Sequence, residues 1–302
     1  MLVTMLQNNG FGTLLTAMVS PYDDSGAVDL DAARKLAKHL VDQGCDGLVL
    51  TGTTGEISTL KDEEHVEIFE AVIDEVGDRA AIVAGTSTND TDHSVNLSKR
   101  AAEVGVDGLM LVTPYYNKPS QAGIRAHFET IAAAVDLPIM LYDIPGRSVM
   151  PIETETIVAL AKNPQFIALK DAKGDLMETT KVLAQTDLDV YSGDDGMTLP
   201  LMSLGAKGLV SVTAHIATAK YRALVDAATA GDFETARRIH FELDPVQRAV
   251  MTHLQGAVAA KELLHRSGVI PSAKVRLPLV APTEAEFAPV LADLAEAGLS
   301  FA

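Results

Sequence analysis

A lysine closes the apolar run Phe166-Ile167-Ala168-Leu169, and Lys170 is the residue of this chain with the clearest chemical promise. At the end of a buried strand an ammonium loses most of its hydration. Desolvation then favours the neutral amine, a nucleophile near neutral pH that attacks a carbonyl carbon and holds it as an imine. The competing reading is a structural lysine paired with Asp171 or Asp194. Neighbouring motifs shift the balance toward chemistry. The turn Gly52-Thr53-Thr54-Gly55 offers two hydroxyls and amides able to converge on a small carboxylate, although such a turn also serves as an ordinary loop cap. Tyr142 closes a second apolar run, and Tyr115 and Tyr116 follow a third. A phenol passes a proton when it belongs to a hydrogen-bonded chain; otherwise it packs with its hydroxyl satisfied. Arg147 follows Pro145-Gly146 in a rigid turn. Its fork can take a carboxylate through two bonds, or it can make a surface ion pair.

Other chemistries find little support. The eight histidines are scattered, with no H-E-x-x-H, no paired cysteines and no carboxylate cluster, so no metal site is expected. Neither a G-x-S-x-G elbow nor a P-loop is present. The formal net charge of -17 and the lack of a basic patch argue against a nucleic-acid partner. They also require that any site for anions be locally positive. A single cysteine, Cys45, excludes a disulfide within the chain and suggests a reducing compartment. Met1 to Gly10 lacks the pattern of a secretory leader, and no run nears the roughly 18 apolar residues of a membrane helix. A cytoplasmic protein without membrane contact is expected.

The elements that must position these residues are legible as alternating short and long segments. Eight brief apolar runs read as strands: Thr13–Val19, Gly47–Leu50, Ala81–Ala84, Gly108–Val112, Ile139–Tyr142, Ile167–Lys170, Val190–Ser192 and Gly208–Val212. Unbroken apolar runs suit parallel strands buried on both faces. Amphipathic stretches lie between them, among them Ala32–Gln43, Glu64–Val76, Val95–Val104 and Gly123–Val135, with capping oxygens around Asn89–Asp92 and at Ser120. The fold class is therefore α/β, a closed (β/α)8 TIM barrel with a small C-terminal helical domain. The barrel takes residues 1–232 with a short N-terminal extension, and the helical domain takes 233–302. An open doubly wound sheet is the alternative, but no G-x-G-x-x-G turn follows the first strand. In the tail, helices are expected over Ala223–Ala230, Glu234–Phe241, Val246–Leu264 and Glu284–Ala297, with breaks at Pro271, Pro278 and Pro282. Active sites of such barrels lie at the C-terminal strand ends, which is where Lys170, Tyr142 and the threonine turn fall.

Five segments together carry a family resemblance: Gly52-Thr53-Thr54-Gly55-Glu56, Thr113-Pro114-Tyr115-Tyr116-Asn117-Lys118-Pro119, Tyr142-Asp143-Ile144-Pro145-Gly146-Arg147, Leu169-Lys170-Asp171-Ala172 and Ser192-Gly193-Asp194-Asp195. From about Phe11 to its C-terminus the chain resembles the dihydrodipicolinate synthase family, within the pyruvate-dependent class I aldolases that include N-acetylneuraminate lyase. The resemblance implies that Lys170 forms an imine with pyruvate and that Tyr142 moves protons. It implies that Thr53 and Tyr116 complete a relay with Tyr142, Tyr116 coming from a neighbouring subunit. Thr54 and the Thr53 backbone would hold the pyruvate carboxylate. Arg147 would bind the carboxylate of aspartate 4-semialdehyde, and Gly193 and Val210 would line the site through backbone groups, although the family often has Ile at the position of Val210. No metal or organic cofactor is implied. The implied partners are the two small substrates, and the implied assembly is a homotetramer built as a dimer of dimers, acting in lysine and diaminopimelate biosynthesis. A related aldolase acting on a sugar acid, and a non-catalytic barrel, are the competing expectations. His93 stands where lysine-inhibited members often have Glu, and Asp62 where they often have His. Weak or absent inhibition by lysine is expected, and inhibition at micromolar lysine would contradict it.

Overall fold

The structure, a computed structural model, describes residues 10–301. The reading of the N-terminal stretch up to position 9 lies outside the described residues. Eight strands, β1 (Leu14–Ala17), β2 (Gly47–Leu50), β3 (Ala81–Gly85), β4 (Gly108–Val112), β5 (Ile139–Asp143), β6 (Phe166–Asp171), β7 (Asp189–Ser192) and β8 (Gly208–Ser211), close into a barrel in sequence order. Every neighbouring pair is parallel, including β1 with β8. All eight expected strands are present, with ends that differ by a few residues at most.

The unbroken apolar runs conceal a period of two. Leu48, Leu50, Ile82, Leu109, Leu111, Leu141, Leu169 and Val190 pack outward against the helices. Val49, Val83, Met110, Met140, Ala168, Tyr191 and Val210 fill the barrel interior. Alternating side chains of a strand serve opposite faces, so a strand buried on both faces needs no polar residue. At the N-terminal mouth Phe11 acts as a plug. Its ring lies 2.5 Å from where a Cβ on Gly108 would stand, so β4 must begin with glycine.

The outer helices are α1 (Leu30–Asp42), α2 (Asp62–Val76), α3 (Thr91–Glu103), α4 (Gln121–Ala132), the short α5 (Pro145–Ser148), α6 (Thr154–Leu160), α7 (Leu176–Gln185), α8 (Thr198–Ser203) and α9 (Ala214–Thr229). Asp90 and Ser120 cap α3 and α4 by accepting from the amides of His93 and Gly123, as their positions before apolar periodicity suggested. Three helices follow the barrel: α10 (Phe233–Met251), α11 (Gly256–Arg266) and α12 (Glu284–Glu296). Here the structure corrects the sequence reading. Separate helices are expected over Glu234–Phe241 and Val246–Leu264, yet α10 runs through Pro245 and the chain breaks instead at residues 252–255. Proline removes one donor and crowds the preceding turn, but Leu243, Pro245, Val246, Ala249 and Val250 are all buried. Packing along that face outweighs the lost bond. No described helix is long and apolar enough to cross a membrane.

Candidate active site

Lys170 and Tyr142 are register partners across β5 and β6, close to the C-terminal end of the barrel. Both have the parity of the interior-facing Met140 and Ala168. Lys170 is 4% exposed, and its Nζ stands 4.1 Å from the centroid of the Tyr142 ring. Burial pulls its amine down to about 8, against the opposing pull of Asp195 and with a smaller contribution from the positive charge of Arg147. Burial drives the Tyr142 phenol the other way, up to about 12, although the Arg147 charge and the Thr53 hydroxyl pull it down. The pair thus joins a lysine that is readily neutral to a phenol that keeps its proton.

The structural alternative for Lys170 named Asp171 or Asp194 as its partner. Asp171 instead accepts from the hydroxyl of Thr179 at 2.5 Å and from the amide of Lys173 at 2.9 Å. Asp194 caps a short turn through the amide of Gly196. The anion that acts on Lys170 is Asp195, which is buried and accepts from the hydroxyl of Ser211 and the amides of Val212 and Thr213. It ties the ends of β7 and β8 together while opposing the neutral lysine. Sequence reasoning grouped Asp195 with the strand-end residues but gave it no role.

The turn after β2 is held from several sides. The amides of Glu56 and Ile57 donate to the carbonyls of Thr53 and Gly52, each at 3.2 Å. Ser20 Oγ donates to the Gly55 carbonyl at 2.7 Å. Among the described residues no acceptor takes the amide of Thr53 or of Thr54. Fixed but unpaired amides suit an anion. Thr54 is buried and Thr53 half-buried. Beyond the turn, Glu56 has φ 57° and sends its carboxylate to Lys261 Nζ of α11 at 2.5 Å and to the Arg276 amide at 3.0 Å.

Arg147 lies in α5, exposed, with its charge felt at both Lys170 and Tyr142. Gly193 packs so close to β6 that a Cβ there would meet Lys170 Cγ at 3.1 Å and Ala172 Cβ at 2.9 Å. Its amide is already given to the Asp171 carbonyl at 2.7 Å. Val210 is buried in the interior and pairs with Leu15 of β1. Tyr116 is not brought to this group within the chain. It is 85% exposed, at φ 71°, in the centre of a tight turn closed by the Asn117 amide on the Tyr115 carbonyl at 2.8 Å. A bulky residue held at positive φ is strained and points to a presented side chain. Asn117 Nδ2, donating to the Asn89 carbonyl at 2.7 Å, secures that turn. Nearby, His93 Nε2 meets Asp62 Oδ1 at 2.8 Å, so the two residues that depart from the pattern of lysine-inhibited members are partners of one another.

The family model described as the dihydrodipicolinate synthetase family matches residues 10–297. A Kineococcus radiotolerans protein named 4-hydroxy-tetrahydrodipicolinate synthase is 53% identical over 290 residues, 96% of this chain and 94% of its own. A Streptomyces coelicolor protein named 4-hydroxy-tetrahydrodipicolinate synthase 2 is 50% identical over 289 residues, 96% of each chain. The crystal structure of a dihydrodipicolinate synthase from Bacillus anthracis superposes with a TM-score of 0.91 at 42% identity, covering 94% of this chain and 98% of that one.

Proposed function

This chain belongs to the dihydrodipicolinate synthetase family, and on that premise we propose that Lys170 and its neighbours carry out the 4-hydroxy-tetrahydrodipicolinate synthase reaction, joining pyruvate to L-aspartate 4-semialdehyde. The enzyme is a lyase of lysine and diaminopimelate biosynthesis. The observation that carries the assignment of residues is Lys170 itself, buried at a barrel strand end beside Tyr142 with an amine pulled down to about 8.

The neutral amine attacks the keto carbon of pyruvate, whose carboxylate takes the free amides of Thr53 and Thr54. Tyr142 donates its phenolic proton as water leaves, and the imine forms. Its proton is replaced along the chain of Thr53 and Tyr116. The protonated imine draws electrons from the methyl group, which loses a proton to become an enamine. The enamine carbon attacks the aldehyde carbon of the second substrate, whose carboxylate is held by Arg147, and the aldehyde oxygen becomes a hydroxyl by taking up through Tyr142 the proton that the methyl group gave up. The amino group of that substrate then adds to the imine carbon, closes the ring and expels the Lys170 amine. The covalent imine is the electron sink, so the sequence of steps calls for no organic cofactor or metal. Gly193 and Val210 line the site as backbone.

Tyr116 reaches Lys170 from a neighbouring subunit, and the assembly is a homotetramer built as a dimer of dimers. The setting is cytoplasmic, in keeping with a single buried thiol at Cys45. The helices from Phe233 onward act as a C-terminal helical domain seated on the barrel that precedes them. Borohydride reduction in the presence of pyruvate is expected to leave one stable adduct on Lys170 and none in Lys170→Ala, with turnover of aspartate semialdehyde exceeding that of sugar acids. An unmodified Lys170 would overturn the imine mechanism, and preference for a sugar acid would overturn the acceptor.

A further inference from the structure

The segment that carries Arg147 leaves β5 after Asp143 and returns at Ile152. Inside it, Ser148 Oγ shares its one proton between the carbonyls of Ile144 at 3.0 Å and Met150 at 2.9 Å. Val149 is held at φ 70°. A β-branched residue at positive φ is strained, and such a conformation persists only where the surroundings over-determine it. The restraint lies at the returning end. The Ile152 amide donates to Asp143 Oδ1 at 3.1 Å, and Lys173 Nζ donates to the Ile152 carbonyl at 3.0 Å. Lys173 also pairs with Asp143 Oδ2 at 3.1 Å. On either side, Gln121 donates to the Pro151 carbonyl at 2.9 Å and accepts from the Glu153 amide at 3.1 Å. Four backbone groups of three consecutive residues are therefore taken by three side chains from elsewhere in the fold.

The clamp is tied to the catalytic strands. Asp143 follows Tyr142 and Asp171 follows Lys170, and the two aspartates are register partners. With the opposite parity they face away from the interior. Asp171 accepts the Lys173 amide at 2.9 Å and so aims the Lys173 side chain. Asp143 and Lys173 are 2% and 15% exposed at their side chains. A pair this buried is a weak source of stability, because apolar residues of similar volume do as well or better. What it supplies is fixed geometry at the base of the loop that brings the Arg147 guanidinium to the site.

We infer that Asp143, Lys173 and Gln121 are positioning residues for Arg147, setting recognition of the second substrate without touching it. The inference rests on the reading of Arg147 as the partner of the semialdehyde carboxylate. It is tested by steady-state kinetics with both substrates varied, for Arg147→Ala, Lys173→Met, Gln121→Ala and the double variant Arg147→Ala with Lys173→Met. Lys173→Met is expected to raise KM for aspartate semialdehyde about tenfold and Gln121→Ala about threefold. KM for pyruvate and the rate of borohydride trapping should stay within about twofold of the parent. Lys173→Arg should recover part of the loss. In the Arg147→Ala background Lys173→Met should add nothing, since a residue acting through Arg147 has no effect once Arg147 is gone. If Lys173→Met does not fold, Gln121→Ala, which strands no buried charge, carries the test. Equal changes in both KM values, or additive effects in the double variant, would overturn the inference. A normal semialdehyde KM in Arg147→Ala would sink the reading of Arg147 itself. A raised value there with normal values in Lys173→Met and Gln121→Ala would sink the clamp alone.

Discussion

Lys170 is subject to opposing influences. The face of the Tyr142 ring at 4.1 Å and the charge of Asp195 both favour the ammonium, while burial and Arg147 favour the amine. Burial wins, and an amine at about 8 is neutral roughly 300-fold more often at pH 7 than one at its ordinary value of 10.5. The nucleophile is the deprotonated form, so the rate of borohydride trapping with pyruvate is expected to climb about tenfold per pH unit below 8 and to level off above it. In Arg147→Ala the midpoint should move upward, because a positive charge that opposes the ammonium is gone. A rate still rising steeply near pH 10 in the parent enzyme would show that Lys170 is not desolvated as the fold suggests. Lys170 and Tyr142 were legible in the sequence because each is a polar residue closing an apolar run. Asp195, Asp143 and Lys173 were not, because their roles depend on which strand ends become neighbours. Alternation within a strand does say that Asp171 faces away from Lys170, and that signal alone argues against the Lys170–Asp171 pairing.

The strands were readable for one physical reason and the tail helices misread for another. A strand buried on both faces must be apolar throughout, and eight such runs bounded by Gly, Asp or Pro mark a barrel almost unaided. In α10 the local penalty of Pro245 is real, but it is outweighed by burial of its face, which no local window reveals. The same tertiary context gives α11 its link to the active site. Lys261 is fully buried, donates to Glu56 at 2.5 Å and to the Lys274 carbonyl at 2.9 Å, and has the Tyr22 ring 3.8 Å away; burial still pulls its amine down to about 8, against the opposing pull of Glu56. Glu56 ends the turn that is proposed to hold the pyruvate carboxylate. Removing one partner of a buried pair strands the other charge. Lys261→Met is therefore expected to destabilise the fold by about 3–5 kcal/mol and to raise KM for pyruvate, whereas Lys261→Met with Glu56→Gln should recover much of the stability. Denaturant unfolding of the single and double variants checks the first part and pyruvate kinetics the second. An unchanged stability in Lys261→Met would mean that this pair does not hold α11 to the barrel.

At the scale of the whole molecule the proposed proton relay needs a second chain. Tyr116 stands 85% exposed on a strained turn that Asn89 and Asn117 hold in place, an arrangement that makes sense if the phenol is delivered to another copy. In a two-fold pair each chain would lend its Tyr116 to the Lys170 of its partner, so two defective chains can complement each other. Tyr116→Phe and Lys170→Ala are each expected to be nearly inactive alone. Unfolded together and refolded as an equal mixture, they form mixed pairs in which one site has both its lysine and its phenol intact and the other has neither. Random pairing makes half the dimers mixed, each with one working site of two, so activity should return to about a quarter of the parent value. If Tyr116 acted within its own chain, every site in the mixture would still carry one defect and nothing would return. Separating the mixed species by a charge tag on one chain assigns the recovered activity. Its appearance in either unmixed species would refute delivery between subunits, and its confinement to the mixed one would tie catalysis to assembly.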